Sequence, residues 1–312
     1  MRVLVTGGTG FIGGSVLREL LRQGNEAVAF DVLANSETFS EIADKVPIIK
    51  GSVQEANVLL ETIKKHSITH VVHMASLLTT ASQNKPFEAL NINVIGTANI
   101  LEASRIMDVV QIVYMSSTAV YGYTKEGEII DEEYAKNPVT VYGATKLFCE
   151  HMGSNYYSNY GLGFTALRFP IVYGPGQSSR GFSSFKEIIE KPALGLPAKV
   201  PSGGDQKYDG VYVKDVAKAI VAACASHKTE HRTFNIGTGV LSSLRDVGEA
   251  VRKTIPSARI EIGSGFDVAE PVKGPLNIER AKNELGFISK FDLQAGVNDY
   301  IRTVRMSRSD AS

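Results

Sequence analysis

Cysteine is nearly missing from this chain of 312 residues: only Cys149 and Cys224 are present, and neither stands at metal-ligand spacing from a second cysteine or a histidine. That excludes a disulfide framework and leaves two buried thiols in a reducing compartment. Net charge is missing too. Lys+Arg 33 against Asp+Glu 33 gives a formal charge of +0, so no bulk field draws the chain to nucleic acid or an anionic membrane. No apolar run approaches the roughly 18 residues of a spanning helix, and no charged leader precedes the first apolar strand. There is no internal repeat and no low-complexity linker. These absences make a cytoplasmic protein the expectation. What remains is ordinary: 43% hydrophobic and 21% charged residues, with length for a large core in one or two domains.

The pattern along the chain alternates apolar strands with amphipathic helices. Strands are expected at 2–6, 27–31, 47–50, 69–74, 109–115 and 163–168, with helices at 11–22, 54–65, 86–105 and 142–160. This alternation predicts an α/β fold, a Rossmann-type doubly wound parallel sheet, followed by a smaller C-terminal substrate-binding lobe. The expected division is 1–173 for the dinucleotide-binding domain, with 209–236 returning to it, and 174–208 with 237–312 for the lobe. Beyond 174 the rhythm breaks into loops, Pro/Gly-rich connections and separate helices, one expected near 182–189.

Gly7, Gly8, Gly10 and Gly13 lie between the first strand and the first helix. Glycines there let backbone approach a pyrophosphate at the positive end of the helix. The second strand ends in Asp31, an acid suited to two ribose hydroxyls and repulsive to a 2′-phosphate. No arginine occupies 32 to 36, so the expected cofactor is NAD rather than NADP. Tyr142 and Lys146 stand four apart on a helical segment, hence on one face. A lysine charge near a tyrosine hydroxyl favours the phenolate, which makes a proton-transfer group near neutral pH.

Ordered motifs extend this reading. They are Thr6-Gly7-Gly8-Thr9-Gly10-Phe11-Ile12-Gly13, Asp31, His73-Met74-Ala75, Asn93-Val94-Ile95-Gly96-Thr97, Met115-Ser116-Ser117-Thr118-Ala119-Val120-Tyr121-Gly122, Tyr142-x-x-x-Lys146, Val172-Tyr173-Gly174-Pro175, Val211 to Ala217 and Phe234-Asn235-Ile236-Gly237. Over nearly its whole length the chain resembles the extended short-chain dehydrogenase/reductases of the NAD-dependent epimerase/dehydratase family. The resemblance implies that Tyr142 is the acid/base, that Lys146 lowers its pKa and holds the nicotinamide ribose, and that Ser117 hydrogen-bonds the reacting oxygen. It puts Gly7, Gly10, Phe11, Ile12, Gly13, Asp31, Ser52, Val53, Met74, Ala75, Ser76, Asn93, Ser116, Tyr142, Lys146, Phe169, Ile171 and Val172 at the cofactor. Ser117, Thr118, Leu78, Pro170, Arg180, Ser183 and Tyr208 are expected at the substrate, and no metal is expected. It also implies a homodimer through the helices at 86–105 and 142–160.

The departures concern substrate. Sugar-nucleotide members of the family carry an Asn where Ile171 stands and an Arg where Tyr208 stands, both on the phosphates. Thr118 and Ala119 replace the Asp-Glu pair of a dehydratase. The stretch 181–192 is similar to family dehydrogenases of small polyhydroxy acids, with Arg180 placed for a carboxylate. The sequence therefore reads as an NAD-dependent oxidoreductase moving a hydride between nicotinamide and a small hydroxylated, non-nucleotide substrate. Its alternative is a nucleotide-sugar epimerase, similar to UDP-glucose 4-epimerase, with retained NAD.

Overall fold

A computed structural model of the chain describes residues 1–177, 183–226, 229–266 and 274–309. In order the elements begin β1 (Arg2–Thr6), α1 (Phe11–Arg22), β2 (Glu26–Asp31), β3 (Ile48–Lys50), α2 (Ala56–Lys65) and β4 (His70–His73). Then come α3 (Thr79–Asn84), α4 (Pro86–Ala89), α5 (Gly96–Ile106), β5 (Gln111–Ser117), α6 (Val141–Tyr160), β6 (Gly163–Phe169) and β7 (Ile171–Tyr173). The remainder is α7 (Ser184–Ala193), β8 (Ala198–Val200), β9 (Lys207–Tyr212), α8 (Val213–Ala225), β10 (Thr233–Asn235), β11 (Leu241–Ser243), α9 (Leu244–Thr254), β12 (Ile260–Ile262), α10 (Glu279–Leu285) and α11 (Leu293–Ser309).

Seven strands form one sheet in the order β10-β6-β5-β4-β1-β2-β3, every pair parallel. The strands are nearly continuous apolar runs because both faces are covered. On one face Val16, Leu17 and Leu20 of α1 meet Val216, Ala217 and Ile220 of α8 over Val3, Val5 and Val113. On the other, Leu59 and Ile63 of α2, Ile100 and Leu101 of α5 and Cys149 of α6 cover Leu4, Val71 and Ile112. The lobe has its own core, in which Phe185, Ile188 and Ile189 of α7 meet Val247 and Val251 of α9 and Val297 and Tyr300 of α11. No helix among the described residues is long and apolar enough to cross a membrane.

Four features differ from the sequence reading. The helix expected over 86–105 is interrupted by a π-helical turn at Leu90–Ile95, whose extra residue per turn shifts the apolar face. The strand expected over 163–168 runs one residue further, to Phe169, and stops there because Pro170 has no N–H for the ladder. β7 beyond it pairs with β9 in a three-stranded sheet, β11-β9-β7. Of the segment 209–236, β10 joins the large sheet and β9 does not. The lobe helix begins at Ser184 and runs on to Ala193, with Pro192 in its last turn.

Candidate active site

The carboxyl ends of β1, β2, β4, β5 and β6 face the same edge of the sheet, and each carries one of the clusters picked out above. Between β1 and α1, Gly7 takes φ +69°, a left-handed turn that a side chain resists. A Cβ on Gly13 would lie 2.4 Å from Gly7 O and 2.5 Å from Gly8 O, so only glycine lets the helix start against the loop. Gly10 caps α1 without a side chain, and the N–H groups of the first turn have no acceptor within the helix. This cradle fits a pyrophosphate. Asp31, at the end of β2, accepts from Thr9 N and Leu33 N at 3.2 Å each, through separate oxygens, which ties the acid to the glycine loop. Ser52 lies half-buried beyond β3 and bonds Gln54 and Glu55. The Val53 side chain is buried against Gly96.

Tyr142 is the second residue of α6, and Lys146 follows one turn later. The helix starts here because Thr140 Oγ1 accepts from Gly143 N at 3.0 Å. Gly143 also settles where α6 lies: a Cβ there would be 2.4 Å from Ala119 O. The absent side chain lets α6 close onto the turn that follows Ser117. Ser117 ends β5, half-buried, with Oγ accepting from Ala119 N at 3.2 Å. Thr118, behind it, is buried.

Lys146 is 2% exposed. Its ammonium donates to Met115 O at 2.6 Å and lies 5.4 Å from the Tyr142 ring centre and 4.7 Å from that of Tyr114. Burial pulls its pKa down to about 8, while Cys149 and Glu150 work against the fall. His73, at the end of β4, is held near 3 by burial and by the Lys146 charge. Its neutral ring sits in a directed chain. Thr97 Oγ1 donates to Asn93 O at 2.5 Å, so it accepts from His73 Nε2–H at 3.0 Å. Thr6 Oγ1 donates to His73 Nδ1 at 2.7 Å and accepts from Met74 N and Ala75 N. The chain thus fixes the tautomer and the Met74-Ala75-Ser76 turn beside Gly7.

Several residues expected at a ligand also make contacts within the protein. The Asn93 amide, expected at the cofactor, bonds Leu77 N and O and Thr145 Oγ1; it braces the turn after β4 against α6. Ser116, also expected at the cofactor, is buried and donates to Glu150 Oε1 at 2.5 Å. Phe169 packs in the sheet core, leaving its backbone at the strand end. Side chains alternate along a strand. That alternation turns Tyr208 of β9 into the lobe core with Tyr212, and Ile171 of β7 into the same core with Tyr173. Neither side chain is at an open substrate surface. Pro170 and Val172 stay half-buried, Leu78 is 41% exposed at the start of α3, and Ser183 is exposed before α7. Arg180 lies outside the described residues.

Sequence reasoning missed Glu150, Arg168 and Thr97. Glu150 stands four after Lys146, a spacing that a wheel drawn from Tyr142 would have found. It pairs with Arg168 through two hydrogen bonds of 3.0 and 2.6 Å. No group of three His, Cys, Asp or Glu able to hold a metal occurs among the described residues.

Relatives match the chain over nearly its whole length. A UDP-glucose 4-epimerase of Mycolicibacterium smegmatis is 32% identical over 305 residues, 95% of this chain and 96% of that protein. One of Corynebacterium glutamicum is 30% identical over 320 residues, 96% and 94%. The solved structure of a Thermus thermophilus UDP-glucose 4-epimerase complexed with NAD superposes with a TM-score of 0.85 at 29% identity, covering 98% of this chain and 99% of that one. These relatives are mainly epimerases, the alternative in the sequence reading; a non-nucleotide oxidoreductase gains no specific support from them. The model of the NAD dependent epimerase/dehydratase family matches residues 3–237, and the chain is an NAD-dependent, extended short-chain dehydrogenase/reductase belonging to that family.

Proposed function

We propose that the protein is a nucleotide-sugar 4-epimerase that keeps its NAD through the reaction. Whole-length likeness to UDP-glucose 4-epimerases at 30–32% identity carries this reading, together with a Tyr142–Lys146 pair on a helix whose Gly143 closes onto the turn after Ser117. When bound, NAD supplies the hydride acceptor and returns the hydride. The first turn of α1 holds the pyrophosphate, and Asp31 the adenosine ribose. Tyr142 Oη takes the proton of the reacting hydroxyl as the carbonyl forms and gives it back on reduction. The Lys146 cation favours the phenolate in that interval, and Ser117 Oγ donates to the reacting oxygen. The proton and hydride both return, so no net redox change results.

The test is turnover of UDP-galactose to UDP-glucose by the purified protein. Conversion without accumulating NADH supports the proposal. NADH formed one-for-one from hydroxy acids or polyols, with UDP-sugars untouched, overturns it. That outcome belongs to a second reading, a dehydrogenase of small hydroxylated compounds. Ile171 and Tyr208 favour it, since both are buried apolar-facing residues where the family resemblance led us to expect phosphate-binding Asn and Arg.

We further propose a homodimer through α4, α5 and α6, in the reducing cytoplasmic setting that suits two free buried cysteines. Phe87, Leu90, Ile95 and Phe148 there are 77%, 48%, 50% and 56% exposed, an apolar surface that a second copy would cover.

A further inference from the structure

Behind the active site lies a buried polar assembly to which no step of the reaction assigns a role. Glu150 receives a hydrogen bond from Ser116 Oγ and two from Arg168. Arg168 also donates to Tyr121 Oη at 2.9 Å and Glu132 O at 3.1 Å. Tyr121 Oη passes its hydrogen to Asn235 Oδ1 at 2.6 Å. The Glu150 and Arg168 side chains are 5% and 4% exposed. Charges this deep persist only when paired and hydrogen-bonded. The three contacts of Glu150 join β5 one residue before Ser117, α6 one turn after Lys146, and β6 at its carboxyl end.

We propose that Glu150 is a positioning residue that sets both halves of the catalytic group: through Ser116 it anchors the strand end bearing Ser117, and its negative charge keeps Lys146 a cation. The second role follows from what surrounds the ammonium. Tyr114 faces it from β5, His73 from β4, and Tyr142 and Cys149 from its own helix. His73 is neutral there, and Tyr114 is pushed well above its ordinary value by burial. The same burial raises the Cys149 pKa and keeps it a neutral thiol, which leaves Glu150, four residues on from Lys146 along the same face of α6, as the anion of this set, with the Arg168 cation paired to it. Burial without an opposing anion drives a lysine toward its neutral form, and a neutral Lys146 no longer favours the Tyr142 phenolate.

This inference uses the roles proposed above for Ser117 and Lys146, but its primary test needs no substrate. In protein labelled with 13C-lysine, the Cε resonance that disappears in Lys146→Met reports the Lys146 titration. The wild-type midpoint is expected at about 8, below the ordinary lysine value. Glu150→Gln keeps an oxygen for Ser116 and lowers the midpoint by about one pH unit or more; Glu150→Asp restores most of it. If Glu150→Gln fails to fold because Arg168 is left unpaired, the double variant Glu150→Gln/Arg168→Met removes both buried charges and gives a smaller downward shift, since the Arg168 repulsion on Lys146 goes with it. An unchanged midpoint in a folded variant overturns the electrostatic role. Ser116→Ala tests the anchor: kcat falls about tenfold, while KM and the Lys146 midpoint stay put. An unchanged kcat overturns that role. Absence of turnover in the wild type would sink the proposed function and leave the lysine titration standing as a test.

Discussion

Tyr142 has a defined neighbourhood: a buried ammonium one helical turn away and, across Gly143, the turn that follows Ser117. Tyr142→Phe keeps the ring and removes the hydroxyl. Turnover is expected to fall at least about 10²-fold, the usual size of a general acid–base contribution, with NAD affinity measured by titration nearly intact. Residual activity close to wild type would remove Tyr142 from the mechanism. His73 gives a second prediction, in stability. Its folded value near 3 lies below its ordinary 6.5, so between these limits the unfolded chain binds a proton that the folded one does not. Stability contributed by the neutral ring is complete above pH 6.5 and is lost as pH falls toward 3, by up to about 1.4 kcal/mol per pH unit. In urea unfolding between pH 6.5 and 4, His73→Gln should flatten this slope; parallel curves would show that the ring is not the source. At this scale the sequence was legible where chemistry has a spacing, as with Tyr142 and Lys146. It was silent on the partners a polar residue finds in the fold, as with Asn93 and Ser116, because Leu77, Thr145 and Glu150 come from other elements.

The closeness of α6 to the turn after β5 depends on Gly143. A methyl group there would meet Ala119 O and the Pro138 side chain, so Gly143→Ala has to push the helix away. The expected cost is about 1–3 kcal/mol of stability from overpacking. Tyr142 moves relative to Ser117 at the same time, and displacements of this kind lower kcat by about 10²-fold. Thermal unfolding and steady-state kinetics check the two effects separately; a variant with wild-type kcat would show that α6 can tilt without disturbing the site. Element types were readable from periodicity and glycine placement: β1, α1, β2 and α6 fall where expected. The π-helical turn at Leu90–Ile95 was not, since one extra residue in a turn leaves composition unchanged. Pro170 was visible, but its consequence, a strand leaving one sheet for another, depends on β9 arriving as a partner.

Across the whole molecule, exposed apolar side chains include Phe87, Leu90, Ile95 and Phe148 on the face that runs from α4 through the π-helical turn to α6. If this face pairs two copies, Phe148→Glu should turn a dimer of about twice the 33.7 kDa chain mass into a monomer by light scattering. A wild-type monomer at micromolar concentration would rule the pairing out. The fold class and the cofactor edge were legible at this scale because they follow from alternating elements. The lobe was less so. Its core depends on α7, α9 and α11 meeting from widely separated parts of the chain, and no local pattern records that meeting.

The large sheet is completed out of order. β10, its terminal strand on one side, arrives only after the chain has made β7, β8, β9 and α8. A nascent or truncated chain ending at residue 177 would therefore expose the whole hydrogen-bonding flank of β6, together with the sheet face that α8 covers. Such a bare edge invites pairing between chains. The fragment 1–177 should accumulate in inclusion bodies, and adding residues through 236 should restore solubility. During synthesis the nucleotide-binding half depends on sequence translated after part of the lobe.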